Sequence, residues 1–138
     1  MFGDKAGNGR YFKLENEADL AVIGEEVVGN ATFDSGRKRY VADPDGAFRF
    51  GVHVWDGSKL SLLEGGWRLY KALGEATNKS GEGCMLHVTR TGTGMNTQFA
   101  AEKARDLESE EIEAIRASER FDLGREFGWA KPTEEPGF

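Results

Sequence analysis

Apolar positions along the chain fall mostly in short alternating runs, the period-two signature of half-buried β-strands. Phe48 to Trp55 is the clearest case. Phe48, Phe50, Val52 and Val54 share one face, while Arg49, Gly51, His53 and Trp55 share the other. Tyr11–Leu14, Arg37–Val41, Lys59–Leu63, Cys84–Thr91 and Asn96–Ala101 read as further strands. Leu20–Val28 joins them with a break at Gly24, which predicts a strand carrying a bulge or bend. Turns punctuate these runs at Phe33–Gly36, Asp56-Gly57 and Thr91–Gly94. In Asp43-Pro44-Asp45-Gly46 the proline pre-sets φ and the glycine supplies a positive φ. That turn is expected to join Arg37–Val41 to Phe48–Trp55 as a hairpin.

Two segments have helical spacing instead. Trp67, Tyr70 and Leu73 recur at i, i+3 and i+6 on one side of a helix over Trp67–Ala76. Ser109 is an expected N-cap, because Glu110, Glu111 and Glu113 suit the positive end of a helix. Ile112 and Ile115 give that second helix a narrow apolar stripe, and it runs to about Glu119. The pattern dissolves from Phe121 onward. The expected organisation is a flexible arm over residues 1–10, one domain over 11–122, and an acidic tail over 123–138 ending in Phe138. The expected fold class is mainly β: an OB-type β-barrel of five to six strands, with a helix between strands 3 and 4 and a C-terminal helix. Closure would remove the exposed edges of so many short strands.

Composition changes this picture little. A length of 138 residues suits one domain, and 19 glycines against 3 prolines favour strands joined by tight turns. The single cysteine, Cys84, rules out an intramolecular disulfide, and its apolar neighbours point to a buried thiol. With only His53 and His87 beside it, a Cys/His metal site cannot be assembled. No cofactor and no metal are expected, although an all-carboxylate site stays open. Residues 1–10 contain no apolar signal core, and no apolar stretch approaches 18 residues. The expectation is a cytoplasmic protein without a membrane partner, in the host cytoplasm if the chain is phage-encoded.

A net charge of −6 opposes a nucleic-acid partner, but its distribution weakens the objection. Residues 27–100 carry 9 basic and 7 acidic side chains, whereas residues 101–138 carry 6 basic and 11 acidic. The body can hold a basic groove while the C-terminal quarter stays acidic.

Two stretches resemble a known family. One is Val52-His53-Val54-Trp55-Asp56-Gly57-Ser58-Lys59-Leu60-Ser61-Leu62-Leu63-Glu64, followed by a helix. The other runs from Leu86 to Phe99 and carries Arg90, Gly92, Gly94 and Thr97, with Phe99 at the aromatic position that ends the motif. Over residues 10–105 the chain resembles the single-stranded-DNA-binding proteins of tailed bacteriophages. It departs from them in lacking the small zinc-binding insertion of paired cysteines that some members carry before the Trp-Asp strand. The resemblance implies an OB fold, binding to single-stranded DNA without sequence preference, and a role in phage DNA replication or recombination.

Single strands are held by cations that track phosphates and by aromatic faces on which bases stack. Arg37, Lys38, Arg39 and Tyr40 supply three cations and an aromatic in four residues, or else a charged edge strand kept soluble. Arg49, His53 and Trp55, with Gly51 between them, form a polar-aromatic platform unless the terminal helix covers Trp55. Arg90 shares a face with Leu86 and Val88, where it either clamps phosphate or pairs with a carboxylate; Lys59 is a weaker candidate. Trp67 and Tyr70 read as core. Glu134, Glu135 and Phe138 resemble the acidic tips through which such proteins recruit replication or recombination proteins. The alternative for that end is a tail with no partner.

Catalysis is not expected: Gly92-Thr93-Gly94 lacks the Gly-Lys-Ser/Thr of a phosphate loop, and no nucleophile–base set suggests itself. The runner-up is an OB-like protein-interaction module, such as a phage modulator of a host protein, without nucleic-acid activity. A preference for RNA is a third reading. A homodimer paired through the Arg37–Val41 edge is also compatible with the pattern.

Overall fold

One long strand, β1 (Glu17–Asp34), organises the protein. The computed structural model describes residues 10–81 and 83–130; the expected arm up to residue 9 and the tail residues Glu134, Glu135 and Phe138 lie outside them. The remaining strands are β2 (Arg39–Ala42), β3 (Ala47–Trp55), β4 (Leu60–Gly65), β5 (Cys84–Thr91) and β6 (Gln98–Asp106). Helix α1 (Trp67–Ser80) lies between β4 and β5, and α2 (Ser109–Ala117) and α3 (Leu123–Glu126) follow β6. The fold is mainly β, with a six-stranded sheet in the order β4-β3-β1-β5-β6 and β2 added on β1. Each of these strand pairings is antiparallel.

β1 pairs with β5 over Glu17–Leu20, with β3 over Ala21–Ala31 and with β2 over Ala31–Asp34. The break expected at Gly24 is a bulge: Ile23 faces His53 and Val27 faces Gly51, so residues 24–26 stand against Val52 alone. Gly24 has φ +75°, a conformation that costs glycine nothing.

The Asp43–Gly46 turn forms, but not as a hairpin. Ala31 of β1 registers with Ala42 of β2 and with Ala47 of β3. β2 and β3 are therefore two lengths of one run beside β1, interrupted by an excursion. Asn30 holds that excursion, its carbonyl accepting from Asp43 N (3.0 Å) and its amide donating to Gly46 O (3.1 Å). The true hairpin joins β1 to β2.

Closure into a barrel is not seen: among the described residues β4 and β6 are unpaired with each other. Helix α1 packs along β6. The outer edge of β4 is covered by the chain at Arg10–Phe12, which bonds Leu62 on both sides (Phe12 N to Leu62 O 2.8 Å, Leu62 N to Arg10 O 2.7 Å). This contact is a single parallel bridge, not the strand expected over Tyr11–Leu14.

The main core follows the alternation of β3. Phe50, Val52 and Val54 pack with Leu20, Leu86 and Val88 against Leu69, Leu73 and Ala76 of α1. Each of the Phe, Val and Leu side chains contributes about 1.5–3 kcal/mol on burial. The buried stripe of α1 is thus set by Leu69, Leu73 and Ala76; Trp67 falls off it and is 55% exposed. Cys84 is buried in this core, as its neighbours suggested.

The opposite face of β3 is covered as well. α2 is capped by Glu108 in a capping box with Glu111, one residue before the expected Ser109. It lays Ile115 on Ala21, Trp55 and Met85. Beyond it, Phe127 and Trp129 pack with Val27, Ala31 and Leu62, and Ala130 bridges Gly29. Residues 123–130, expected to belong to the tail, are part of the folded body. Among the described residues no helix is long and apolar enough to cross a membrane.

Candidate functional site

The β1–β2 hairpin is shaped by Asp34. Its carboxylate accepts from Gly36 N (2.9 Å) and Arg37 N (3.2 Å), and its carbonyl accepts from Lys38 N (2.7 Å). The chain turns back through Lys38 at φ 60°, a left-handed conformation rare for a non-glycine residue. Tyr40 is thereby set opposite Phe33 in the ladder, and the rings meet edge to face at 5.2 Å. The Arg49 guanidinium, projecting from β3, lies 3.8 Å from the centre of the Tyr40 ring.

Tyr40 stands where two concavities join. One, of about 730 Å³, is lined by Arg10, Phe33, Lys38, Arg39, Arg125 and Trp129 among others. The other, of about 500 Å³, is lined by Arg49, Arg90, Gly94, Thr97 and Phe99 together with Phe12 and Leu14. Tyr40 and Glu64 line both, so the two adjoin at these side chains as one candidate groove. Its far end is the β5–β6 connection, held in place by Arg68, which donates to Met95 O (2.7 Å) and Thr97 O (2.8 Å). Met95 at that tip is 89% exposed.

Five of the nine expected DNA-binding residues therefore converge: Lys38, Arg39, Tyr40, Arg49 and Arg90. Their charges are not equally available. Arg49 is paired with Glu64 (3.3 Å), and the same carboxylate oxygen accepts from Trp129 Nε1 at 3.1 Å. Arg49 Nε is buried without a partner among the described residues. The Arg90 guanidinium donates to Glu15 O at 3.3 Å, while its backbone N–H donates to Asn16 O at 2.7 Å. Lys38 and Arg39 are exposed and, among the described residues, not ion-paired. Arg37 stands at the hairpin tip beside Asp34 (3.6 Å), outside the groove lining.

The platform expected on the outer face of β3 is closed by the protein's own chain. Trp55 is 3% exposed and donates its Nε1–H to Glu111 at 3.1 Å. Glu111 is gripped by both Arg105 Nη groups (2.8 and 3.0 Å), and these bonds hold its carboxyl down to about 2. His53 is buried, stacks on Phe121 and accepts from Phe121 N at 2.9 Å, while burial lowers its pKa. It is a neutral acceptor here, not a phosphate ligand. Lys59 belongs to the turn after Asp56, away from the groove lining.

Phe33, Arg10, Arg68 and Arg125 were not legible as site residues. Phe33 carried a signal, a lone aromatic beside a cation run, but it read as turn. Arg10 and Arg125 enter the lining only through tertiary contacts, and Arg68 acts from outside it by holding Met95 and Thr97.

A separate cleft of about 680 Å³ between the β1 bulge and α1 is rimmed by Glu25 and Glu26. Glu26 accepts from the Tyr70 hydroxyl (2.6 Å), which pushes that phenol up to about 12. Its sign is wrong for phosphates. Among the described residues no group of three or more His, Cys, Asp or Glu side chains could hold a metal ion. Comparison of the chain with protein-family profiles, with curated proteins and with solved structures finds no match.

Proposed function

We propose that the protein binds single-stranded DNA without sequence preference along the Phe33–Tyr40–Arg90 groove, as a phage-type replication or recombination protein and not as an enzyme. The observation that carries the reading is Tyr40, a ring lining both halves of the groove beside the exposed cations Lys38 and Arg39, which are not ion-paired among the described residues. Cations for phosphates and a ring for bases are the two requirements of sequence-tolerant strand binding.

The strand order supports an OB-type reading. With β2 set aside, β4-β3-β1-β5-β6 is the order of a five-stranded OB sheet, with its helix after the third strand. In that architecture ligands lie across strands 2 and 3 between the first and last hairpin loops. The groove runs between the counterparts of those loops, the 35–46 segment and the 92–97 turn.

The test is fluorescence anisotropy of labelled oligo-dT at two salt concentrations, with duplex DNA and oligo-U as competitors. Salt-sensitive binding that duplex cannot displace supports the reading, and displacement by oligo-U at lower concentration than dT turns it toward RNA. No binding at low salt, with and without residues 131–138, removes it. The protein-interaction reading is favoured by the neutralisation of Arg49 by Glu64 and of Arg10 by Glu126 (2.9 Å). It would be upheld by a stoichiometric protein partner and no DNA shift.

A further inference from the structure

We infer that Phe33 and Tyr40 together form the base-stacking station of the groove, and that Arg49 is its positioning residue and not a phosphate ligand. The inference rests on the single-strand reading above and assigns the parts of that site.

By alternation Phe33 lies on the same face of β1 as Val27, Gly29 and Ala31. Trp129 and Ala130 cover that face at Gly29, where a Cβ would meet Trp129 O at 2.5 Å, and Ala31 is buried in the same cluster. Phe33 lies past the end of this cover. It remains 49% exposed, lines the groove, and leans on the edge-to-face contact with Tyr40. An exposed ring that is already fixed by a second ring loses little freedom when a base stacks on it.

Arg49 is built differently from the other cations. Its side chain is 16% exposed, its charge is met by Glu64, and its guanidinium is spread over Tyr40. A phosphate would have to displace Glu64, whose carboxylate also holds Trp129. Lys38 and Arg39, on the same hairpin as the rings, carry exposed charges without that competition. The hairpin therefore divides the work: its cations hold phosphates, its rings hold bases, and Arg49 fixes Tyr40 from behind.

Salt dependence separates these roles. Loss of one phosphate contact to a single strand flattens the slope of log K against log salt by about 0.7, whereas loss of a stacking ring lowers affinity without changing the slope. The full chain is titrated with labelled oligo-dT across a salt series. Phe33→Ala is expected to weaken binding roughly 5- to 140-fold at unchanged slope, with Phe33→Tyr restoring it. Arg39→Ala should flatten the slope. Arg49→Met combined with Glu64→Gln, which keeps the local net charge, should lower affinity with the slope intact.

Wild-type binding retained in full by Phe33→Ala overturns the stacking station. A slope flattened by the Arg49/Glu64 pair overturns the positioning role. Should that pair fail to fold, Arg49→Lys decides: it preserves affinity if Arg49 is a phosphate contact and lowers it if Arg49 braces the ring. Absence of wild-type binding instead brings down the single-strand reading itself, so the two failures are distinct.

Discussion

The Phe127 ring lies on the backbone of Gly51 so closely that a Cβ there would fall 2.3 Å from its Cε2. Both residues are buried, and the ring cannot swing into solvent to make room. Gly51→Ala is therefore expected to destabilise by about 1–3 kcal/mol through overpacking. Phe127→Ala is expected to cost about 3–5 kcal/mol through cavity formation. Urea denaturation of both variants checks this; unchanged midpoints would mean that the C-terminal segment is not docked on β3.

Trp55 joins α2 to the sheet. Trp55→Ala is expected to lose about 3–5 kcal/mol. Trp55→Phe keeps most of the packing and loses the bond to Glu111, a smaller loss of about 1–2 kcal/mol. Oligo-dT affinity, measured where each variant is still folded, should stay at the wild-type value. A selective loss of affinity in Trp55→Phe would return Trp55 to the binding site.

The two histidines give opposite pH dependences. Burial, helped by the Arg120 charge, lowers the pKa of His53. The unfolded chain then takes up a proton that folded His53 refuses, so stability falls as pH drops below about 6.5. His87 lies between Asp19 (2.6 Å) and Glu17 (3.0 Å), and these carboxylates raise its pKa, Asp19 foremost. Its contribution is complete below about 6.5 and fades as pH rises through the raised value. Denaturation midpoints from pH 5 to 9 should lose the acid-side decline in His53→Gln and the alkaline-side decline in His87→Gln. The reverse assignment would contradict the geometry.

Lys38 offers a variant that separates turn from charge. Its φ of 60° suits glycine, so Lys38→Gly should keep stability within about 1 kcal/mol of wild type. It should also flatten the salt dependence of oligo-dT binding by about 0.7. A large loss of stability would show that the Lys38 side chain supports the hairpin.

The alternation of β3 was legible because a strand writes its two faces into the sequence independently of what covers them. What covers the second face was not. Phe121, Leu123, Phe127 and Trp129 follow no period of two or 3.6, since most of that segment is an irregular strap around one short helix, and it read as tail. Asp43–Gly46 shows a similar limit. Its residues specify a turn, but whether the turn makes a hairpin or an excursion is decided by Asn30, on another strand. In the site, Tyr40 and its neighbouring cations were legible as a local run. The Arg49–Glu64 neutralisation, which changes what Arg49 can do, joins β3 to β4 and has no local signature.

The central place of β1 also has a temporal side. Its first residues are made before those they pair with, since Asp19 meets His87 across a separation of 68 positions. At roughly 5–20 residues per second on a ribosome, that partner emerges some 3–14 s later. During that interval the N-terminal end of β1 has its apolar side chains and open backbone groups without their final partners. The carboxylates of Glu17 and Asp19 sit on that waiting segment, where like charge discourages two nascent chains from pairing with each other.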